Sequence, residues 1–325
     1  MMSLSIQATW LRGDIRSKLS RISKAKFKSI ELTENDLIDA KEDGEDLKAL
    51  LFEYGLRLSI FEISSNLQGI NNNPDKETIK KIDLKFEAAK FLGSNLILLK
   101  STILKQNYLD CSSIDRALKY IALRASHFRI RVAYMNIPTD VSIGKLDPAI
   151  KIIESIGSPY LGLAINSLYA LSNGSRPSEL RDVPIHRIFH VQLCDGYVQQ
   201  PASEEHSHHS DMLPGQGNLN LAGFVKVIAA SGYKGSWSLA KIDSKKAKES
   251  FIDNAYDAYR ALVSLLDKVE RSDPQIKFET PNMPARVYTS GVEFLEFSVD
   301  DESHYQITQI LSSLCFRMER KHISK

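Results

Sequence analysis

The stretch Ile188 to Gly217, IFHVQLCDGYVQQPASEEHSHHSDMLPGQG, decides the fold. Its apolar run Ile188 to Leu193 ends in polar residues, a histidine-rich loop follows, and Pro214-Gly215-Gln216-Gly217 leads into the amphipathic segment Leu221 to Ala230. This is the order of a buried parallel strand, a long loop at its carboxyl end and a crossover helix. In a protein built from βα repeats, that loop is where chemistry sits.

Outward from this unit the same alternation continues. Strands are predicted over Ser5 to Thr9, Ser29 to Leu32, Arg57 to Ile63, Asn95 to Ser101, Arg129 to Asn136, Leu161 to Ser167, Ile188 to Asp195 and Ser236 to Ile242. Helical periodicity predicts helices over Ile15 to Lys24, Glu45 to Tyr54, Lys76 to Leu92, Ile114 to Ala125, Pro148 to Ile156, Leu221 to Ala230 and Ile252 to Val269, with a short one near Ser178 to Arg181. Gly55, Gly93, Gly157 and Gly232 fall where such helices stop, as a left-handed C-terminal residue requires. Short strands alternating with longer helices predict an α/β protein, and eight strands close a (β/α)8 barrel over residues 1–271. Residues 272–285, SDPQIKFETPNMPA, are polar and proline-rich and read as a linker. Residues 286–325 hold an expected strand (Val292 to Ser298), a helix (Glu302 to Leu314) and a second strand (Cys315 to Arg320), too little to bury a core alone.

Lys and Arg number 42 against 40 Asp and Glu, giving a net charge of +2. The two signs are interspersed, so nucleic acid is not an expected partner. No apolar run is long enough for a bilayer, and MMSLSIQATW lacks the pattern of a signal peptide. The three cysteines, Cys111, Cys194 and Cys315, are far apart and predict reduced thiols. A cytoplasmic protein with no membrane partner is the expectation, with homo-oligomerisation left open.

Several stretches carry a resemblance. SIQATWLRGDIRSKLSRISKAKFKSIELTENDLI, FEAAKFLGSNLILL, RIFHVQLCDG and MLPGQGNLNLAGFVKVIAASGYKGSWSL occur in an order similar to that of the sugar phosphate isomerase/epimerase-like barrels. Among these the chain resembles the bacterial two-domain 3-dehydroshikimate dehydratases, which have a xylose isomerase-like TIM barrel. The tail GVEFLEFSVDD to LSSLCFRMERKHISK looks like the opening of the dioxygenase-like (vicinal oxygen chelate) domain fused to those barrels, a short βαβ fragment of it.

The resemblance implies a metal-dependent lyase. A divalent cation (Mg, Mn or Co) polarises a ketone while a base removes the adjacent proton. The family's ligands are a Glu, an Asp, a Gln and a second Glu. Carried over, they fall on Met135, Asn166, Gln192 and Ala240, so Gln192 alone is retained. A family His falls on Tyr169, and two arginines fall on Ser65 and Asp211. At an effective dielectric near 20, each carboxylate at about 4 Å from a unit charge is worth roughly 4 kcal/mol, so losing three removes on the order of ten. No metal cofactor is expected, and the resemblance points to a catalytically degenerate dehydratase-like barrel.

The remaining candidates each have a plain structural alternative. Glu34, Asn35, Gln192, His209, Gly215 and Gln216 are candidate contacts for a small-molecule ligand, yet Glu34-Asn35-Asp36 equally suits helix capping, and loop geometry alone explains the Pro214 to Gly217 turn. His209 and Lys100 are the candidate catalytic residues. Lys100 shares side-chain parity with Leu96 and Leu98, which would aim it into the barrel, where a desolvated lysine could form a Schiff base. A lysine reaching water from the strand end is the plain reading. The Glu204 to Asp211 cluster, with His206, His208 and His209, suits a transition metal by residue type but matches no standard ligand spacing. Cys194 reads as a small buried filler and Lys241 as outward-facing. Two rivals stay open: a lyase or isomerase acting on a cyclic hydroxyketone or sugar through Lys100 or the His206 to His209 loop, and a small-molecule-binding regulator.

Overall fold

A computed structural model describes residues 3–63, 70, 74–100, 111–135, 147–171, 176–197, 212–241, 254–285, 287, 290–291 and 293–318. Eight parallel strands close into a barrel in sequence order: β1 (Leu4–Gln7), β2 (Ser29–Thr33), β3 (Arg57–Ile63), β4 (Leu96–Lys100), β5 (Arg131–Met135), β6 (Leu161–Asn166), β7 (Ile188–Leu193) and β8 (Trp237–Leu239), the last pairing with β1. The expected (β/α)8 TIM barrel is therefore observed. The connecting helices are α1 (Ile15–Lys24), α2 (Glu34–Glu42), α3 (Leu47–Glu53), α4 (Lys76–Phe91), α5 (Cys111–Phe128), α6 (Asp147–Ile156), α7 (Ser167–Leu171), α8 (Leu221–Ala230) and α9 (Ala255–Ser272).

Local sequence explains where these helices begin and end. Asp14, Asp46, Asp75 and Asn220 each accept a hydrogen bond from a backbone N–H of the first turn of α1, α3, α4 and α8, satisfying donors that the helix cannot pair internally. Gly55, Gly93, Gly157 and Gly232 all take positive φ at helix ends. Helix α2 lies outside the expected helices, because ENDLIDAKE has little apolar periodicity. It is held by a capping box in which the Thr33 hydroxyl accepts from Asp36 N–H and the Asp36 carboxylate accepts from Thr33 N–H.

The main core lies between barrel and helices. Leu19, Ile22, Phe27, Phe86, Phe224, Leu262 and Leu266 are buried there, with Phe86 stacked on Phe128 at 5.2 Å. Within residues 272–285, Ile276 and Phe278 are buried, and the Phe278 ring meets Trp237 edge-on at 5.8 Å.

Tyr233 packs edge-on against Trp237 and donates its hydroxyl hydrogen to Ser236 O at 3.0 Å. Burial pushes its phenol far above the ordinary value. A folded-state pKa raised above the unfolded one leaves stability whole below pH ~10 and drains it as pH rises further. Tyr233→Phe should therefore narrow the loss of stability between pH 8 and 11, read as the difference in urea midpoints against wild type.

The chain divides into two compact units, residues 1–281 and 282–325. In the second unit, α10 (Asp301–Ser313) is capped by Asp300, which accepts from Ser303 N–H at 2.7 Å. The strands expected on either side of α10 are not formed among described residues 293–300 and 314–318. A strand needs an edge to pair with, and none forms among the described residues of this unit. No described helix is long and apolar enough to cross a membrane.

Candidate functional site: the polar lumen of the barrel

Side chains that bond across non-adjacent strands of a closed barrel must meet in its lumen. Two such networks occupy this one. In the first, Glu31 on β2 reaches β7: its Oε1 lies 2.5 Å from His190 Nε2, and its Oε2 accepts from Gln192 Nε2 at 2.7 Å. All three residues are buried. Gln192 Oε1 in turn accepts from Asn166 Nδ2 on β6 at 3.3 Å, and Asn166 Oδ1 accepts from Leu168 N–H at 2.9 Å. The amide orientations follow from chemistry, because a carboxylate accepts and a backbone N–H donates. Between those two fixed ends, both amides can point only one way.

In the second network, Glu62 on β3 sits between β1 and β4. Its Oε2 accepts from Gln7 Nε2 at 2.8 Å, and its Oε1 lies 2.9 Å from Lys100 Nζ. Gln7 Oε1 accepts from Lys241 N–H at 2.9 Å, tying β1 to the end of β8. Lys100 is the last residue of β4, at the carboxyl end of the barrel, and its Cα partner on β5 is Met135. The parity that aimed Lys100 inward holds, and Glu62 receives it. Lys241 does not reach solvent: it is buried, with Nζ 5.1 Å from the centre of the Trp10 ring.

Met135 is enclosed by Ile60, Leu96, Leu98, Ala133 and Ala164, an apolar cluster inside the barrel. Ala240 is buried, and its methyl side chain has no atom that could ligate a metal. Among the described residues, no group of three or more His, Cys, Asp and Glu is placed to hold a metal ion.

Above β7 the chain is fixed by Asp195. Its Oδ1 accepts from Gly196 N–H at 2.9 Å and Leu219 N–H at 3.3 Å, and its Oδ2 accepts from Gly215 N–H at 2.8 Å. Its own N–H and C=O pair with Met212, joining the two ends of the segment between them. Gly217 is required by close approach, since a Cβ there would come within 2.2 Å of Gly196 O. The Gly215 amide is thus committed to Asp195, and Gln216 Oε1 accepts from Leu213 N–H at 2.9 Å.

The other candidates are dispersed. Glu34, in the first turn of α2, pairs with Lys85 of α4 at 2.5 Å, and Asn35 is exposed beside it. Cys194 is buried, and its N–H donates to Ser167 Oγ at 2.9 Å. Ser65 and residues 198–211, with His206, His208, His209 and Asp211, lie outside the described residues. Sequence reasoning missed Gln7, Glu31, Glu62, His190 and Asp195. The available signal was a lone acid inside an otherwise apolar strand, SIELT for Glu31 and LSIFEI for Glu62.

Known proteins share this fold. The chain is 28% identical, over 329 residues, to 3-dehydroshikimate dehydratase of Pseudomonas aeruginosa, and 28% identical to that of Pseudomonas putida. It is covered completely in both matches and spans about half of each relative, 52%. A solved xylose isomerase-like TIM barrel/4-hydroxyphenylpyruvate dioxygenase fusion protein superposes with a TM-score of 0.79 at 26% identity, covering 96% of this chain and 51% of that one. A zinc-bound IolI protein shares the fold at a TM-score of 0.67 and 17% identity, over 83% of this chain and 99% of its own. Residues 19–269 match the family model described as the xylose isomerase-like TIM barrel, and the chain belongs to that family.

Proposed function

We propose that this protein is a 3-dehydroshikimate dehydratase-like barrel that takes a small-molecule ligand at its mouth without a divalent metal and has lost the dehydratase reaction. The observation that carries this reading is the polarised run from Glu31 through Gln192 and Asn166 to Leu168. At the positions where the resemblance puts the family's ligands, Gln192 spends its oxygen on Asn166, and Asn166 spends its own on a backbone amide. Met135 offers a thioether in an apolar cluster, and Ala240 offers nothing. A hard cation needs several converging oxygens. The carboxylates described in the lumen, Glu31 and Glu62, each already serve two partners. This donor set does not fit the metal.

What the described residues supply is a lumen with fixed polar side chains and, at the end of β4, the ammonium of Lys100. Residues 286–325 are assigned to the opening part of a dioxygenase-like domain, supported by the fusion protein's match across nearly the whole chain. A cytoplasmic location is supported by Cys194 and Cys315, which form no disulfide. The test is an assay of protocatechuate formation from 3-dehydroshikimate. The expected result is no turnover above the buffer rate, with or without added Mn²⁺ or Co²⁺. Metal-stimulated turnover would refute the proposal.

A further inference from the structure

We infer that residues 293–318 form a self-association surface through which two copies of this chain pair antiparallel about a two-fold axis. The segment is well specified locally yet has no interior. Helix α10 is closed at both ends: Asp300 caps its first turn, and at the other end Phe316 N–H donates to Leu311 O and Cys315 N–H to Ser312 O, with Cys315 at φ 66°. Such a left-handed stop fixes where the helix ends. A helix of 13 residues is marginal in water alone, however, and draws its stability from packing an apolar face.

The faces available for packing are open. Ile307, Ile310, Leu311 and Leu314 fall at helical spacing on one stripe, with Ile310 59% and Leu314 62% exposed. In the extended run before the helix, Leu295, Phe297 and Val299 alternate onto one side, and all three are exposed. Among the described residues of 293–318 none is buried. The rings of Phe294, Phe297, Tyr305 and Phe316 are about half to two-thirds exposed. At ~200 Å² each they offer roughly 400–500 Å², over half of the ~800 Å² that each partner contributes to a standard interface.

Charge selects a second copy as the occupant. Residues 293–302 carry Glu293, Glu296, Asp300, Asp301 and Glu302 and no base, whereas residues 316–325 carry Arg317, Arg320, Lys321 and Lys325 against the single acid Glu319. The helix dipole accounts for the acids at 300–302, but Glu293 and Glu296 precede the helix. An antiparallel pair lays the acidic end of each copy on the basic end of the other, twice over, as a self-complementary interface requires. A parallel pair would set like charges together.

The inference is independent of the metal-free reading of the lumen. The test is sedimentation equilibrium of the full chain at tens of micromolar, where a dimer is expected. Phe297→Glu and Ile310→Glu should each weaken association by about tenfold or more, since each sets a charge in the apolar contact. Glu296→Arg and Arg317→Glu should each weaken it severalfold, and the two exchanges together should restore it, because both ends then change sign. Phe52→Glu, on the exposed face of α3 in the barrel, should leave the dimer unchanged. Circular dichroism checks that every variant keeps the folded barrel. A monomer at that concentration, which would leave the apolar segment to a different partner, would overturn the inference. So would an open series of larger species, a dimer that survives both Phe297→Glu and Ile310→Glu or is lost in Phe52→Glu, or a double exchange no better than either single one.

Discussion

Replacing Glu31 with alanine is expected to cost the barrel about 3–5 kcal/mol of stability. The carboxylate is fully buried and accepts on both oxygens, facing His190 and Gln192. Truncation strands both groups in a closed lumen, and a buried donor without an acceptor costs far more than its hydrogen bond earned. It also releases one end of the run that orients Gln192 and Asn166. For a barrel of this size, such a loss lowers the melting temperature by roughly 10 °C. Glu31→Gln should cost about half as much, because one acceptor oxygen survives while the new NH2 faces a donor. Urea unfolding of the two variants checks the order, and a loss below about 1 kcal/mol in Glu31→Ala would show the network to be dispensable.

The second large effect is expected at Asp195. Its carboxylate gathers three backbone N–H groups, from Gly196, Gly215 and Leu219. Gly196 and Leu219 are buried, so water cannot replace the lost acceptor there, whereas Gly215 is exposed and can be rehydrated. Asp195→Ala should cost about 2–4 kcal/mol, two stranded amides at the usual penalty. Asp195→Asn should cost less, since one oxygen still accepts from two of the three. The distinctive readout is hydrogen exchange. Amides of Gly196, Gly215 and Leu219 should lose protection in Asp195→Ala, while the strand amides of β4 and β5 keep theirs. Uniform loss of protection would mean that the side chain merely supports global stability.

The barrel itself could be read from the sequence because its strands are short, largely apolar runs and helices such as α1, α3, α4 and α8 carry capping residues or terminal glycines. Leu221 to Ala230 and Ile15 to Lys24 are helices with the bounds that periodicity assigns them. The site was less legible. Parity placed Lys100 inward, but its partner Glu62 depends on the register between β3 and β4, where Glu62 stands opposite Leu98. No local pattern encodes that. Glu31 and His190 are 159 residues apart and meet only because the barrel closes. Helix α2 was hidden for the opposite reason. The signal, Thr33 with Asp36 three residues on, is local and was present, while the apolar period it should introduce is weak. Glu34, a candidate ligand contact with helix capping as its alternative, pairs with Lys85 on a later helix.

Whether the lumen holds a dication is measured directly by titrating the metal-stripped full chain with Mn²⁺ and following the free ion by electron paramagnetic resonance. The prediction is that added Mn²⁺ stays free, with no site tighter than about 100 µM. Stoichiometric uptake of one Mn²⁺ per chain, lost in Gln192→Ala, would contradict it.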